Sequence, residues 1–127
     1  MLIDLETACI LGVAQGPGPT SDLKLFKESG VHVSPEVWCL ADSGYQGLQS
    51  LHKQTVLPSK KPKGGSLSAE EKHNNRRLAK LRIRVEQVIC SLKVFKILAE
   101  RYRNRRKRLH LRFSLIAGIY NSERVLI

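Results

Sequence analysis

Two carboxylates stand out in this 127-residue sequence. Asp42 sits in Ala41-Asp42-Ser43-Gly44-Tyr45-Gln46-Gly47, directly after the apolar run Val37-Trp38-Cys39-Leu40-Ala41. Glu86 sits in Arg82-Ile83-Arg84-Val85-Glu86-Gln87, inside a long basic helical pattern. An acid at a strand end and an acid on a helix can meet in space and hold a divalent metal. Magnesium suits such donors, since it takes few carboxylates and leaves the rest of its shell to phosphate and water. Two metals about 3.5–4 Å apart can activate an attacking oxygen and stabilise a leaving one. A pair of ions needs a third or bridging carboxylate. Asp4, Glu6 and Asp22 are the acids early enough to supply it. Asp4 and Glu6 read as turn residues, and Asp22 reads as a helix N-cap.

Each principal acid also has a plainer role open to it. Asp42 can satisfy the amides of an Asp-Ser-Gly turn. Glu86 can pair with Arg82 at i, i+4 spacing, a surface contact worth about 0.2–0.5 kcal/mol. The 44-residue separation between the two acids does not choose between these roles.

The charge balance points to a partner. The formal net charge is +11 and the pI about 10.0. Such an excess favours a polyanion, because each neutralised phosphate releases counterions. Lys60, Lys61 and Lys63 lie between Pro58, Pro62, Gly64 and Gly65 in a loop expected to be exposed. Arg101, Arg103, Arg105, Arg106, Lys107 and Arg108 form a second run, with Tyr102 among them and Glu100 as the adjacent acid. Phosphate contact is the favoured role for both, and a solvated charged face is the alternative.

Other classes are disfavoured. No apolar run approaches the roughly 20 residues that span a bilayer, so no membrane role is expected. The opening Met1-Leu2-Ile3-Asp4-Leu5-Glu6 has no basic stretch and no cleavage site, so no signal peptide is expected. Cys9, Cys39 and Cys90 are odd in number and far apart, which suits unpaired thiols in a reducing cytosol. His32, His52, His73 and His110 show no zinc spacing.

The elements that must position these groups follow from patterning. Residues 1–14 read as a β-hairpin turning at Asp4 to Ala8. Thr20, Ser21 and Asp22 can cap a short helix that ends near Gly30. Val37 to Ala41 reads as a strand buried on both faces. Leu48 and Leu51 open a second short helix, and Thr55 to Pro58 a further strand. Ser68-Ala69-Glu70-Glu71 is a capping box. Leu78, Leu81, Val85, Val88, Ile89, Leu92 and Phe95 then give an amphipathic helix of about 30 residues. A basic link at 101–108 precedes a terminal helix carrying Leu111, Leu115, Ile116, Ile119 and Tyr120. The order is mixed α and β, with helices packing on a sheet.

The same residues resemble a known family. Ser21-Asp22-Leu23-Lys24-Leu25-Phe26-Lys27-Glu28-Ser29, Leu40 to Gly47, Lys60-Lys61-Pro62-Lys63-Gly64-Gly65, Arg84-Val85-Glu86, Arg101 to Arg106 and Phe113 to Asn121 occur in one order. In that order they are similar to the catalytic core of bacterial insertion-sequence DDE transposases, of the insertion-sequence-five group. The resemblance implies an α/β, RNase H-like fold in which a mixed sheet is flanked by helices. It casts residues 1–127 as part of that catalytic domain, truncated at the N-terminus with the first strand missing. It implies magnesium-dependent cleavage and strand transfer at transposon ends, with two metals in the intact family. Asp42 matches the second catalytic acid and Glu86 the third, both as metal ligands. Lys93, seven residues after Glu86, is placed for phosphate contact.

The family's first catalytic Asp lies upstream of the hairpin, in a segment absent from this sequence, and the preceding DNA-binding helices are absent too. Asp4 matches the hairpin turn. Asp22 follows Ser21 where the family usually has His. Two readings therefore remain: an enzyme fragment needing a piece encoded by a neighbouring upstream frame, or a non-catalytic basic DNA-binding remnant. An RNA-associated basic protein is a third, of another class. The partners implied are DNA at transposon ends and target, the upstream fragment and a second copy in a homodimer. The location implied is the bacterial cytoplasm, at the nucleoid when DNA is bound.

Overall fold

A computed structural model describes residues 1–16, 19–95 and 106–125. The chain divides into two units, residues 1–15 with 81–127 and residues 16–80. The class is mixed α and β, as the patterning requires, with two small two-stranded sheets and three α-helices among the described residues.

The first unit is built on the expected hairpin. Strand β1 (Leu2–Ile3) pairs antiparallel with β2 (Ile10–Gly12). Leu2 faces Gly12 and Ile3 faces Ile10, so Leu11 is an extra residue that bulges out and is 64% exposed. Asp4 organises the turn. Its carboxylate accepts from the Glu6 amide at 3.0 Å and the Thr7 hydroxyl at 2.7 Å. Those bonds, that to Thr7 first, hold the Asp4 carboxyl below the usual carboxylate range. Ala8 closes the turn with φ +59°, and its small side chain is buried.

Two helices cover this hairpin. Ala8, Ile10, Val88, Leu92, Ile116 and Ala117 form the buried core, with Met1, Ile3, Val13, Phe113 and Tyr120 packed around it. Val88 and Leu92 come from α2 (Ala69–Leu92), and Ile116 and Ala117 from α3 (Arg106–Val125). Val88 and Leu92 stand at i, i+4 on α2, and Phe113, Ile116, Ala117 and Tyr120 recur at i, i+3, i+4 and i+7 on α3, so each helix turns one apolar stripe to the core. Polar contacts fix the hairpin on the helices. Arg84 donates to the Glu6 carbonyl at 3.1 Å, Arg124 to that of Thr7 at 3.1 Å, and the Tyr120 hydroxyl to that of Ala8 at 3.3 Å.

The second unit holds the Asp42 loop. Helix α1 (Asp22–Glu28) is capped by Ser21, whose hydroxyl accepts from the Lys24 amide. Strand β3 (Cys39–Leu40) pairs in parallel with β4 (Thr55–Val56). Between them a 3-10 turn at Ser43–Tyr45 and another at Leu48–Ser50 return the chain. Leu48, 1% exposed, anchors this crossover. The His52 Nε2 donates to the Val37 carbonyl across 2.6 Å, and the Thr55 hydroxyl donates to the His52 carbonyl at 2.6 Å. The capping box forms as expected. Glu71 accepts from the Ser68 amide at 2.8 Å, and the Ser68 hydroxyl accepts from the Glu71 amide at 3.1 Å.

Several expectations are corrected. The Val37 to Ala41 run is not buried on both faces. Only Cys39 and Leu40 are strand, Cys39 is buried, and Val37 (51%) and Trp38 (65%) are exposed. The short helix at Leu48 is a single 3-10 turn. Helix α2 has 24 residues, and of its apolar stripe only Val88 and Leu92 are buried, while Leu81 and Ile89 stay exposed. Arg106, Lys107 and Arg108 belong to α3 and not to a link. Arg101, Arg103 and Arg105 lie outside the described residues.

Candidate catalytic carboxylates and basic surface

Asp42 follows β3 directly, at the carboxyl end of a strand in a parallel pair, the edge where ligands collect in open α/β sheets. It caps the 3-10 turn that follows. Its Oδ1 accepts from the Ser43 amide at 2.6 Å and lies 3.4 Å from the Ser43 hydroxyl. The turn role open to Asp42 in the sequence is therefore real. It engages Oδ1, and the residue as a whole stays exposed.

Two features around Asp42 are not expected from the sequence. Asp22 does not cap α1, since Ser21 does, and its carboxylate lies against Gly44, where any Cβ would meet Oδ2. The Asp42 loop and the start of α1 thus approach closely, and Gly44 permits it. Tyr45 is half-buried beside both acids. Burial first, then the negative charges of Asp22 and Asp42, push its phenol above the usual tyrosine range. Nearby, burial raises the Cys39 thiol, which makes that cysteine an unreactive core residue. All three cysteines are free.

Glu86 lies on the α2 surface in the first unit, and the i, i+4 partnership with Arg82 forms. Arg82 Nε and Nη2 both reach Oε1 at 3.2 Å, with the side chains 53% and 57% exposed. One hydrogen bond and an ion-pair contact to the same oxygen tie the two side chains while the carboxylate stays open to solvent. Lys93 is exposed just beyond α2, where its amide still donates to the Ile89 carbonyl at 3.1 Å.

Asp42 belongs to the second unit and Glu86 to the first. Among the described residues no group of three His, Cys, Asp or Glu side chains could hold a metal ion. Asp4 is spent on its turn.

The basic groups divide by role. Arg84 and Arg124 are occupied by backbone carbonyls of the hairpin, and Arg124 also lies over the Tyr120 ring at 5.6 Å. Lys60, Lys61 and Lys63 are exposed on their loop, as expected, and Arg108 is exposed on α3. The first half of α2 adds Lys72, Arg76, Arg77 and Lys80, all exposed. The sequence signal for them is the spacing of 72, 76 and 80, which puts three of them on one helix face.

Residues 1–121 match the DDE superfamily endonuclease family, and the chain belongs to that family. It is 48% identical over 126 residues to a Microchaete diplosiphon protein described as "Probable transposase for insertion sequence element IS702". The match takes in 99% of this chain and 46% of that relative, so the chain spans about half the relative's length. No solved structure matches. No helix among the described residues is long and apolar enough to cross a membrane.

Proposed function

We propose that this chain is part of an RNase H-like transposase catalytic domain that contributes Asp42 and Glu86 to a magnesium site acting on DNA. The observation that carries the reading is the setting of Asp42. In a chain of the DDE endonuclease family, it is an exposed carboxylate at the carboxyl end of a parallel strand, oriented by the next amide. Glu86, paired with Arg82 and open to solvent, is the second contribution. The substrate is transposon-end and target DNA, with Lys93 and the arginines of 101–108 as phosphate contacts, and the site of action is the bacterial cytoplasm.

The third carboxylate comes from a further polypeptide segment, of the kind that makes up the rest of the relative's length. Strand β3 supports such a partner. Its Cys39 and Ala41 amides donate to Gln54 and Val56 of the β4 segment. Alternation therefore turns the Trp38 and Leu40 backbone toward the other edge, which no strand covers among the described residues. The exposed Trp38 stands next in sequence to this strand, an apolar group beside a free strand edge. The chain alone binds DNA without cutting it.

Purified chain, incubated with magnesium and DNA carrying transposon ends, tests this. No nicking is expected. Robust nicking that Asp42→Ala abolishes would show that the chain holds a complete site.

A further inference from the structure

The most uneven charge distribution in the second unit lies between Ser59 and Lys80. This stretch holds seven cations, Lys60, Lys61, Lys63, Lys72, Arg76, Arg77 and Lys80, against two acids, Glu70 and Glu71. All seven cations are exposed. None is in an ion pair among the described residues, whereas Lys24 pairs with Glu28 and Arg82 with Glu86. Glu71 is committed to the Ser68 amide. The positive charge is therefore uncompensated locally, which costs self-repulsion unless an anion arrives.

The loop and the helix are held together. The Ser59 amide donates to Asn75 Oδ1 at 2.9 Å, and Asn75 Nδ2 donates to the Ser59 carbonyl at 3.0 Å. One side-chain amide thus satisfies both backbone groups of the residue before Lys60. Further on, the Gly65 amide donates to the Pro62 carbonyl at 3.2 Å, with Gly64 at φ +73°. That is a β-turn with glycine where positive φ is required, and it presents Lys63 at its tip. On α2, Lys72, Arg76 and Lys80 recur every fourth residue, about 6 Å of rise apart. Lys72 lies about 60° round the helix from the clamping Asn75.

We infer that the 60–63 loop and the Lys72–Arg76–Lys80 face of α2 form one surface for the phosphate backbone of duplex DNA, with Asn75 as the residue that positions the loop. This rests on the DNA-binding reading above and adds a surface outside the arginines of 101–108. Contacts come from exposed lysines and arginines in a row, so the surface reads charge and not base sequence. A repeating row of cations suits a long polyanion better than a single phosphate ion.

The test is fluorescence anisotropy of the full chain with a labelled 30-base-pair duplex across a salt series, with an equivalent RNA duplex and an acidic peptide as comparison probes. Each neutralised phosphate contributes about 0.9 to the slope of log affinity against log salt. Lys60→Gln/Lys61→Gln/Lys63→Gln is expected to reduce the slope by up to about 2.7, and Lys72→Gln/Arg76→Gln/Lys80→Gln by a similar amount. The affinity loss between 50 and 200 mM salt then shrinks by up to about 40-fold for either variant. Asn75→Ala keeps every cation and is expected to weaken binding by several fold while circular dichroism stays unchanged. Wild-type slopes in both triple variants, with DNA still bound, overturn the surface and leave the DNA-binding reading standing. No DNA binding by the wild-type chain overturns both. Tighter binding of the RNA or the acidic peptide than of the DNA also overturns the inference.

Discussion

Asn121 holds both backbone polar groups of Ile10: its Oδ1 accepts from the Ile10 amide at 2.8 Å and its Nδ2 donates to the Ile10 carbonyl at 2.7 Å. A side-chain amide on α3 thus occupies the place of a neighbouring strand on β2. Ile10 is a buried core residue, so these groups have little water to fall back on. Asn121→Ala leaves a donor and an acceptor unpaired and is expected to cost about 1–3 kcal/mol. Urea unfolding of the variant checks this. An unchanged midpoint would mean that water replaces the amide freely.

Gly47 precedes the buried Leu48 with φ +95°. Gly47→Ala forces a side chain into the left-handed region and is expected to cost about 1–2 kcal/mol. Leu23 Cδ2, 3.3 Å from the added Cβ, has to shift as well. Gly30 also has positive φ, but nothing lies within 4 Å of an added Cβ there. It is the internal control: backbone strain without the contact.

Tyr45 gives the second unit an alkaline sensitivity. Its folded pKa is raised, by burial first and by Asp22 and Asp42 next. The folded state therefore holds the phenolic proton more tightly than the unfolded chain does. That stability is fully present below about pH 10, the unfolded tyrosine value, and is lost as pH rises through the folded value. Tyr45→Phe is expected to flatten the fall in thermal stability above pH 10 while changing it little at pH 7. A wild-type alkaline profile in the variant would place the sensitivity elsewhere.

Glu86→Gln is expected to change stability by less than about 1 kcal/mol, because the Arg82 pair is exposed and such pairs contribute little. Denaturant unfolding measures it. A large loss would make Glu86 a structural residue and weaken its assignment as a ligand.

Much of this architecture is legible in the residues. The hairpin follows from Met1 to Ala14, with Asp4 set to bond its own turn, and the capping box announces the start of α2 at Ser68 and Glu71. Asp42 and Glu86 are visible as acids in distinctive surroundings, and their motifs carry the family resemblance. What is not legible is tertiary. The run Val37 to Ala41 is as apolar as a fully buried strand, yet Val37 and Trp38 are exposed, since composition does not say whether a covering segment is present. Asp22 is as good a cap as Ser21 by type, and only packing puts its carboxylate on Gly44. Asn75 and Asn121 look like ordinary helix-surface residues in the sequence. Their bonds to Ser59 and Ile10 span 16 and 111 positions, beyond any local pattern.

Complementation tests the proposed role of Asp42 and Glu86 most directly. The chain is mixed with a separately purified polypeptide corresponding to the remainder of the relative's length, and magnesium-dependent cleavage of transposon-end DNA is measured. The expected result is cleavage by the mixture and by neither piece alone. Cleavage should be abolished by Asp42→Ala or Glu86→Gln in this chain, with DNA binding retained. Cleavage that survives both substitutions would contradict the assignment of these two carboxylates to the active site.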